Sequence, residues 1–169
     1  LNAMPVPVLA IRGNTDLKRV ERLIDLYDNI QSLHLNRVRM AGIDFVGISG
    51  TVPVPFRSRL GFREKQVVRK ALDLLDTRAV FVVHPPPFGA LDQVMGKYPA
   101  GSRAVSALIA RKQPRLVLCG HIHEAFGFVR MGGSWIVNCN MAGGRQGAVV
   151  DMTAEGTPKI EMRGAAGAR

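Results

Sequence analysis

The feature that most constrains this chain is a four-residue apolar run, Leu116-Val117-Leu118-Cys119. It is cut off by Gly120 and followed at once by His121 and His123. An apolar run this short, bounded by glycine, fits a strand buried on both faces. Strands of that kind belong to α/β proteins, and in open α/β sheets the chemistry sits outside the carboxyl ends of the strands. Imidazole is the commonest protein metal ligand. Two imidazoles at i and i+2 on the turn leaving a strand can converge on one site or serve two adjacent metals. A pair of ordinary loop histidines is the competing reading of the same residues.

Other segments repeat the pattern of strand, polar stop and helix. Val6–Arg12 is a strand candidate that ends at Gly13-Asn14-Thr15-Asp16, where Asn14 or Thr15 can cap the next segment. Leu17, Val20, Leu23, Ile24 and Tyr27 recur at helical spacing, which predicts an amphipathic helix over roughly Asp16–Tyr27. Arg37–Met40 and Ile43–Ile48 flank Ala41-Gly42 and read as a hairpin. A loop follows over Gly47–Arg59, then a helix over Gly61–Asp76 with Val68, Ala71, Leu72 and Leu75 on one face.

Ala79–Val83 is a second short apolar strand. It stops at His84, where Pro85-Pro86-Pro87 forbid any continuation. Phe88–Gly101 reads as a long loop. Ser102 caps a helix that buries Val105, Leu108 and Ile109 and ends at Pro114. Beyond Gly127, the segments Phe128–Met131, Trp135–Val137, Ala148–Asp151 and Lys159–Met162 are expected to be antiparallel strands joined by glycine-rich turns, ahead of a polar tail, Arg163–Arg169. No internal repeat or linker interrupts the chain, so residues 1–169 read as a single domain.

Composition narrows the class. With 47% hydrophobic and 21% charged residues, the 169-residue chain is globular rather than disordered. No apolar run approaches the ~20 residues needed to span a bilayer, and no basic segment followed by an apolar one marks a signal peptide. Cys119 and Cys139 both lie in apolar stretches and read as buried free thiols, which points to the cytoplasm. The net charge of +10 attracts anions such as phosphates or nucleic acid. The basic residues are scattered, however, and not interleaved with aromatics, so a solvated basic surface is favoured over a nucleic-acid footprint.

The strand ends share one chemistry. The first delivers Asn14, the next His84, the third His121 and His123; of the four histidines only His34 lies elsewhere, in a polar stretch that reads as surface. If the strands are neighbours in one sheet, four N/O ligands face one point, a set suited to Mn, Fe or Zn rather than to Mg or Ca alone.

At these residues the chain resembles a family. GNTD at Gly13–Asp16, the strand-end His84, and GHIH at Gly120–His123, in that order, look like the last three motifs of the calcineurin-like metallophosphoesterases. HPPPFGALD at His84–Asp92, GSRAV at Gly101–Val105 and CGHIHEAFG at Cys119–Gly127 are similar to a prokaryotic subgroup of small predicted phosphoesterases. The resemblance covers about Val6 to Asp151. It implies an α/β fold, an αββα sandwich, and a hydrolase of phosphomonoesters or phosphodiesters that uses two divalent metals, Mn²⁺ first and Fe or Zn next. By the same resemblance Asn14, His84 and His121 match ligands of the second metal, and His123 a ligand of the first. His84, His121 and His123 then carry the catalysis.

Two departures qualify that expectation. Thr15 stands where many members carry a histidine that assists the leaving group, and an alcohol cannot donate a proton near neutral pH as imidazole can. Asp16 is left to orient the turn. The family's first two motifs, Asp-x-His and Gly-Asp-x-x-Asp, do not occur ahead of Val6, and they carry the first metal's main ligands and the bridging carboxylate. Asp92 and Glu124 are near the motifs, but the resemblance assigns neither to a metal. The chain opens on Leu1, so either residues precede it or Leu1–Ala3 is a leftover ahead of Met4. The expectation is a C-terminal portion of the fold, lacking its N-terminal strands, impaired in activity, with an exposed sheet edge that invites homo-oligomers. A non-catalytic binding or scaffolding remnant and a nuclease-like nucleic-acid binder are the alternatives.

Overall fold

The run Leu116–Cys119 is one of the two central strands of a six-stranded sheet. The computed structural model describes residues 3–14, 16–17, 19–24, 26–50, 62–140 and 146–164. In chain order the elements are β1 (Val8–Ala10), α1 (Arg19–Ile24), β2 (Ile30–Ser32), β3 (Arg37–Met40), β4 (Ile43–Ile48), α2 (Phe62–Leu74) and β5 (Val80–Val83). There follow β6 (Gln93–Val94), β7 (Tyr98–Pro99), α3 (Arg103–Lys112), β8 (Leu116–Cys119), a 3-10 turn at His123–Ala125, β9 (Gly127–Met131), β10 (Ser134–Asn138), β11 (Gly147–Asp151) and β12 (Lys159–Arg163).

The main sheet has the order β3-β4-β5-β8-β10-β9. Its inner strands β4, β5, β8 and β10 run parallel, while β3 and β9 pair antiparallel at the two edges. Alternation inside each short run sorts side chains between two layers. Phe81 and Val83 of β5, Val117 and Cys119 of β8 and Ile136 of β10 face α2 and α3, where Ala71, Val105, Leu108 and Ile109 meet them. Val80, Leu116 and Val137 face the other way, against Ala148, Val150, Ile160 and Met162 of the β11–β12 hairpin. This is an α/β architecture with two stacked β-layers. It places the carboxyl ends of β5 and β8 side by side.

Local chemistry explains the boundaries. Ala41 and Gly42 both take positive φ (49° and 77°), the two-residue turn that matches the twist of a hairpin, and it joins β3 to β4. Ser102 caps α3 by accepting a hydrogen bond from the Val105 amide at 3.2 Å, and Gln113 closes the helix in a left-handed conformation just before Pro114.

Several expectations need correction. The segment at Trp135–Val137 pairs antiparallel with β9 but parallel with β8, because the connection through the 3-10 turn and β9 carries the chain past one strand position before it returns. The helix expected over Asp16–Tyr27 is confined to Arg19–Ile24. Phe88–Gly101 is not unbroken loop but carries the β6–β7 ribbon. Ile30–Ser32, unassigned from sequence, is a strand parallel to β1. His34 is half-buried rather than on the surface: its Nδ1 accepts a hydrogen bond from the Ser49 amide at 3.0 Å. Burial lowers its pKa, partly offset by Glu21, with Arg12 and Lys70 lowering it further. Thr15, most of the loop expected to end at Arg59, the Gly143-Gly144 turn and most of the polar tail lie outside the described residues.

Candidate metal centre

Three of the four sequence-derived ligands meet. The turn after β1 presents Asn14, β5 ends directly at His84, and His121 stands just past β8. His84 Nε2 lies 2.8 Å from Asn14 Oδ1 and 3.1 Å from His121 Nδ1. The two rings sit edge to face, with centroids 4.8 Å apart. The Gly120 amide donates to the His84 carbonyl at 3.0 Å and ties the two strand ends together. Gly13 leaves room for the ring, since a Cβ there would lie 3.3 Å from His84 Cε1. His121 takes φ of +70°, a left-handed conformation that costs a non-glycine residue on the order of 1 kcal/mol and is found at functional sites.

Electrostatics keeps both rings neutral. His84 is pushed down to about 4, first by burial and then by the neighbouring His121, with Asp16 opposing. His121 is lowered by burial and by His123. A neutral imidazole offers a lone pair. Here one Nε2 faces two acceptor-bearing partners, and its single proton or lone pair cannot form a separate hydrogen bond with each. A cation at the shared point would take lone pairs from all three, so the amide oxygen and two neutral imidazoles fit a divalent transition metal. Among the described residues no three His, Cys, Asp or Glu side chains gather to hold an ion, so the trio depends on the Asn14 amide.

His123 opens the 3-10 turn and is exposed. Among the described residues no hydrogen bond joins its ring to the other three. Asn138 ends β10 and Asn140 follows it two residues on. They hold the histidine turn from behind. Buried Asn138 donates through Nδ2 to the Ile122 carbonyl at 2.8 Å and accepts the Asn140 amide at 3.1 Å, while Asn140 Nδ2 donates to the His123 carbonyl at 3.2 Å. The spacing of two asparagines beyond a strand was the available signal.

Three other polar residues near the motifs, Asp16, Arg12 and Asp92, are structural. Asp16 accepts the Gly13 amide at 2.8 Å and so shapes the Asn14 turn. Arg12 pairs with Glu21 at 3.3 Å and donates to the Gly13 and Asp16 carbonyls, which occupies it away from any substrate. Asp92 is buried and accepts the Gly89 and Gly101 amides at 3.0 and 3.2 Å, pinning the segment after His84. Exposed Glu124 borders a cavity of about 340 Å³ with Gln93 and Leu91.

Comparison with known proteins agrees with this geometry. The profile of a family described as metallophosphoesterase, calcineurin superfamily, matches residues 1–162. An uncharacterized protein of Methanocaldococcus jannaschii, MJ1162, is 28% identical over 142 residues; the match covers 78% of this chain and 62% of that protein, so the chain spans less than the full length of this relative. A solved crystal structure superposes with a TM-score of 0.73 at 20% identity, covering 95% of this chain and 67% of the other. The crystal structure of TT1561 of Thermus thermophilus superposes with a TM-score of 0.63 at 18% identity, covering 92% and 71%. The two superpositions speak for the fold. With the family profile spanning nearly the whole sequence and its strand-end motifs meeting at one point, the chain belongs to the calcineurin superfamily of metallophosphoesterases.

Proposed function

We propose that this chain hydrolyses phosphate esters, diesters or monoesters, with divalent transition metal held by Asn14, His84 and His121, and with His123 serving a second ion beside it. Mn²⁺ is the first candidate and Fe or Zn the next. Bound there, such ions supply a hydroxide nucleophile at neutral pH and neutralise charge on the phosphoryl oxygens. The chain's own residues prepare that chemistry. Burial keeps His84 and His121 unprotonated. The Gly13 turn, held by Asp16, aims the Asn14 oxygen at His84. Asn138 and Asn140 fix the turn that carries His121 and His123. The two free thiols suit a reducing compartment, the cytoplasm. No described helix is long and apolar enough to cross a membrane.

The observation that carries this reading is the convergence of Asn14 Oδ1, His84 Nε2 and His121 Nδ1 within 2.8–3.1 Å steps. The test is elemental analysis after purification with Mn²⁺, for the parent chain and for His121→Ala. A stoichiometric ion in the parent that is lost in the variant is expected. Hydrolysis of a chromogenic phosphodiester should fall on the order of 100-fold or more with the same change. Equal metal content in both proteins would remove the trio as the site.

A further inference from the structure

A second site lies at the opposite end of the same strands. A cavity of about 390 Å³ opens where β4, β5 and β8 begin, and Arg39, Arg78 and Arg115 line it together with Asp44 and Glu155. The arginines come from three separate places: β3, the residues before β5, and the residue before β8.

Their charges are poorly matched by carboxylates. Asp44 is already held by Arg37 at 2.6 Å and lies 3.9 Å from Arg39. Exposed Arg78 makes no ion pair among the described residues, and neither does Glu155. Arg115 has no carboxylate partner there either. Its terminal nitrogens donate to the carbonyls of Thr153, Ala154 and Gly156, and its Nε is buried without a hydrogen-bond partner among the described residues. A guanidinium cannot shed its charge as a buried imidazole can. Three arginines against two carboxylates, one of them shared with Arg37, therefore leave this cavity cationic.

We propose that this cavity binds a small phosphorylated molecule, with Arg39 and Arg78 receiving its phosphate groups and Arg115, held by carbonyls, adding its charge to the wall. Guanidinium geometry matches phosphate oxygens in paired, charge-assisted hydrogen bonds. The volume falls within the range of small-molecule pockets and exceeds what a single ion needs. The charge is gathered into a concavity rather than spread along a track, which suits a compact anion better than a nucleic-acid backbone. Exposed Glu155, with no ion pair of its own among the described residues, opposes a dianion, so it selects for ligands that bring a hydroxyl or an amine to that side. This site does not depend on the phosphoesterase reading.

The test titrates pyrophosphate into the full chain in the presence of a chelator, which silences the metal centre, by isothermal calorimetry. Binding is expected. Arg39→Glu with Arg78→Glu should weaken it about tenfold or more. Glu155→Gln should tighten it, and His84→Ala should leave it unchanged. Thermal melts without ligand show whether each variant is folded, and Glu155→Gln breaks no ion pair among the described residues, so it reports on the site even if the double variant unfolds. Absence of pyrophosphate binding overturns the proposal. So does binding that ignores the arginine and glutamate variants but disappears with His84→Ala. Salt-sensitive capture of an oligonucleotide that needs the same arginines, with no pyrophosphate binding, would instead make the face a nucleic-acid contact.

Discussion

Strands β5 and β8 carry arginine at one end and histidine at the other. Arg78 and Arg115 precede them, and His84 and His121 follow. Four residues of strand separate the two ends by roughly 13 Å. Both ends are built from nitrogen bases that ordinarily attract water, yet burial acts on them differently. An imidazole responds to desolvation by losing its proton. That is why two rings can stand 3.1 Å apart with His84 pushed down to about 4. A guanidinium keeps its charge, so each arginine at the other end must be solvated, wrapped in carbonyls as Arg115 is, or countered. One end therefore offers lone pairs and the other offers positive charge.

The strongest way to break this comparison is to remove what both ends share. Phe81 is fully buried on β5 between the two sites and packs with the helix layer. Phe81→Ala should cost about 3–5 kcal/mol in urea unfolding. Metal uptake and pyrophosphate binding should then fail together as the chain unfolds. Retention of one without the other would mean that the two ends do not rest on a common core. A smaller and more selective change is Asn138→Ala, which leaves the Ile122 carbonyl and the Asn140 amide without that partner. It should cost about 1–3 kcal/mol and weaken Mn²⁺ binding about 10–100-fold by loosening the histidine turn, with pyrophosphate affinity untouched.

The histidine end was legible from sequence and the arginine end was not. His84 and His121 stand out because short apolar runs stopped by Pro or Gly announce strand ends locally, and the hairpin at Ala41-Gly42 and the Ser102 cap are equally local signals. Strand direction is different. Trp135–Val137 reads the same whichever way its partner runs, so its parallel pairing with β8 came only from the fold. His34 looked solvated because its partner, the Ser49 amide, lies fifteen residues on. The pairing of Arg12 with Glu21 is likewise invisible in the sequence. Arg39, Arg78 and Arg115 each look like ordinary surface arginines, since nothing in the chain order says that three connections open into one cavity.

The smallest expected effect sharpens the charged end. Arg37 bridges two carboxylates, Asp44 at 2.6 Å and Asp76 at 2.7 Å, and donates to the Leu74 carbonyl at 3.1 Å. The hydrogen bond from Arg37 lowers Asp44 below the usual carboxylate range. At Asp76, burial pushes upward but is outweighed by Arg37 and by the Arg78 and Ala79 amides, so it too is lowered. A carboxylate with a folded pKa below its unfolded value of about 3.9 binds fewer protons in the native state as pH falls through that range. Its stabilisation is therefore complete above about pH 5 and fades as pH drops through the folded values. Because Arg37 and Asp76 are each about one-third exposed, Arg37→Ala should cost only about 1 kcal/mol at neutral pH, measured by urea unfolding. The gap between parent and variant should narrow below about pH 4, as the parent's carboxylates protonate. A gap that stayed constant down to strong acid would mean Arg37 acts through packing and the Leu74 carbonyl rather than through its two aspartates. The charge at this end would then be less engaged than the ion-pair distances imply, and Asp44 freer to oppose an incoming anion.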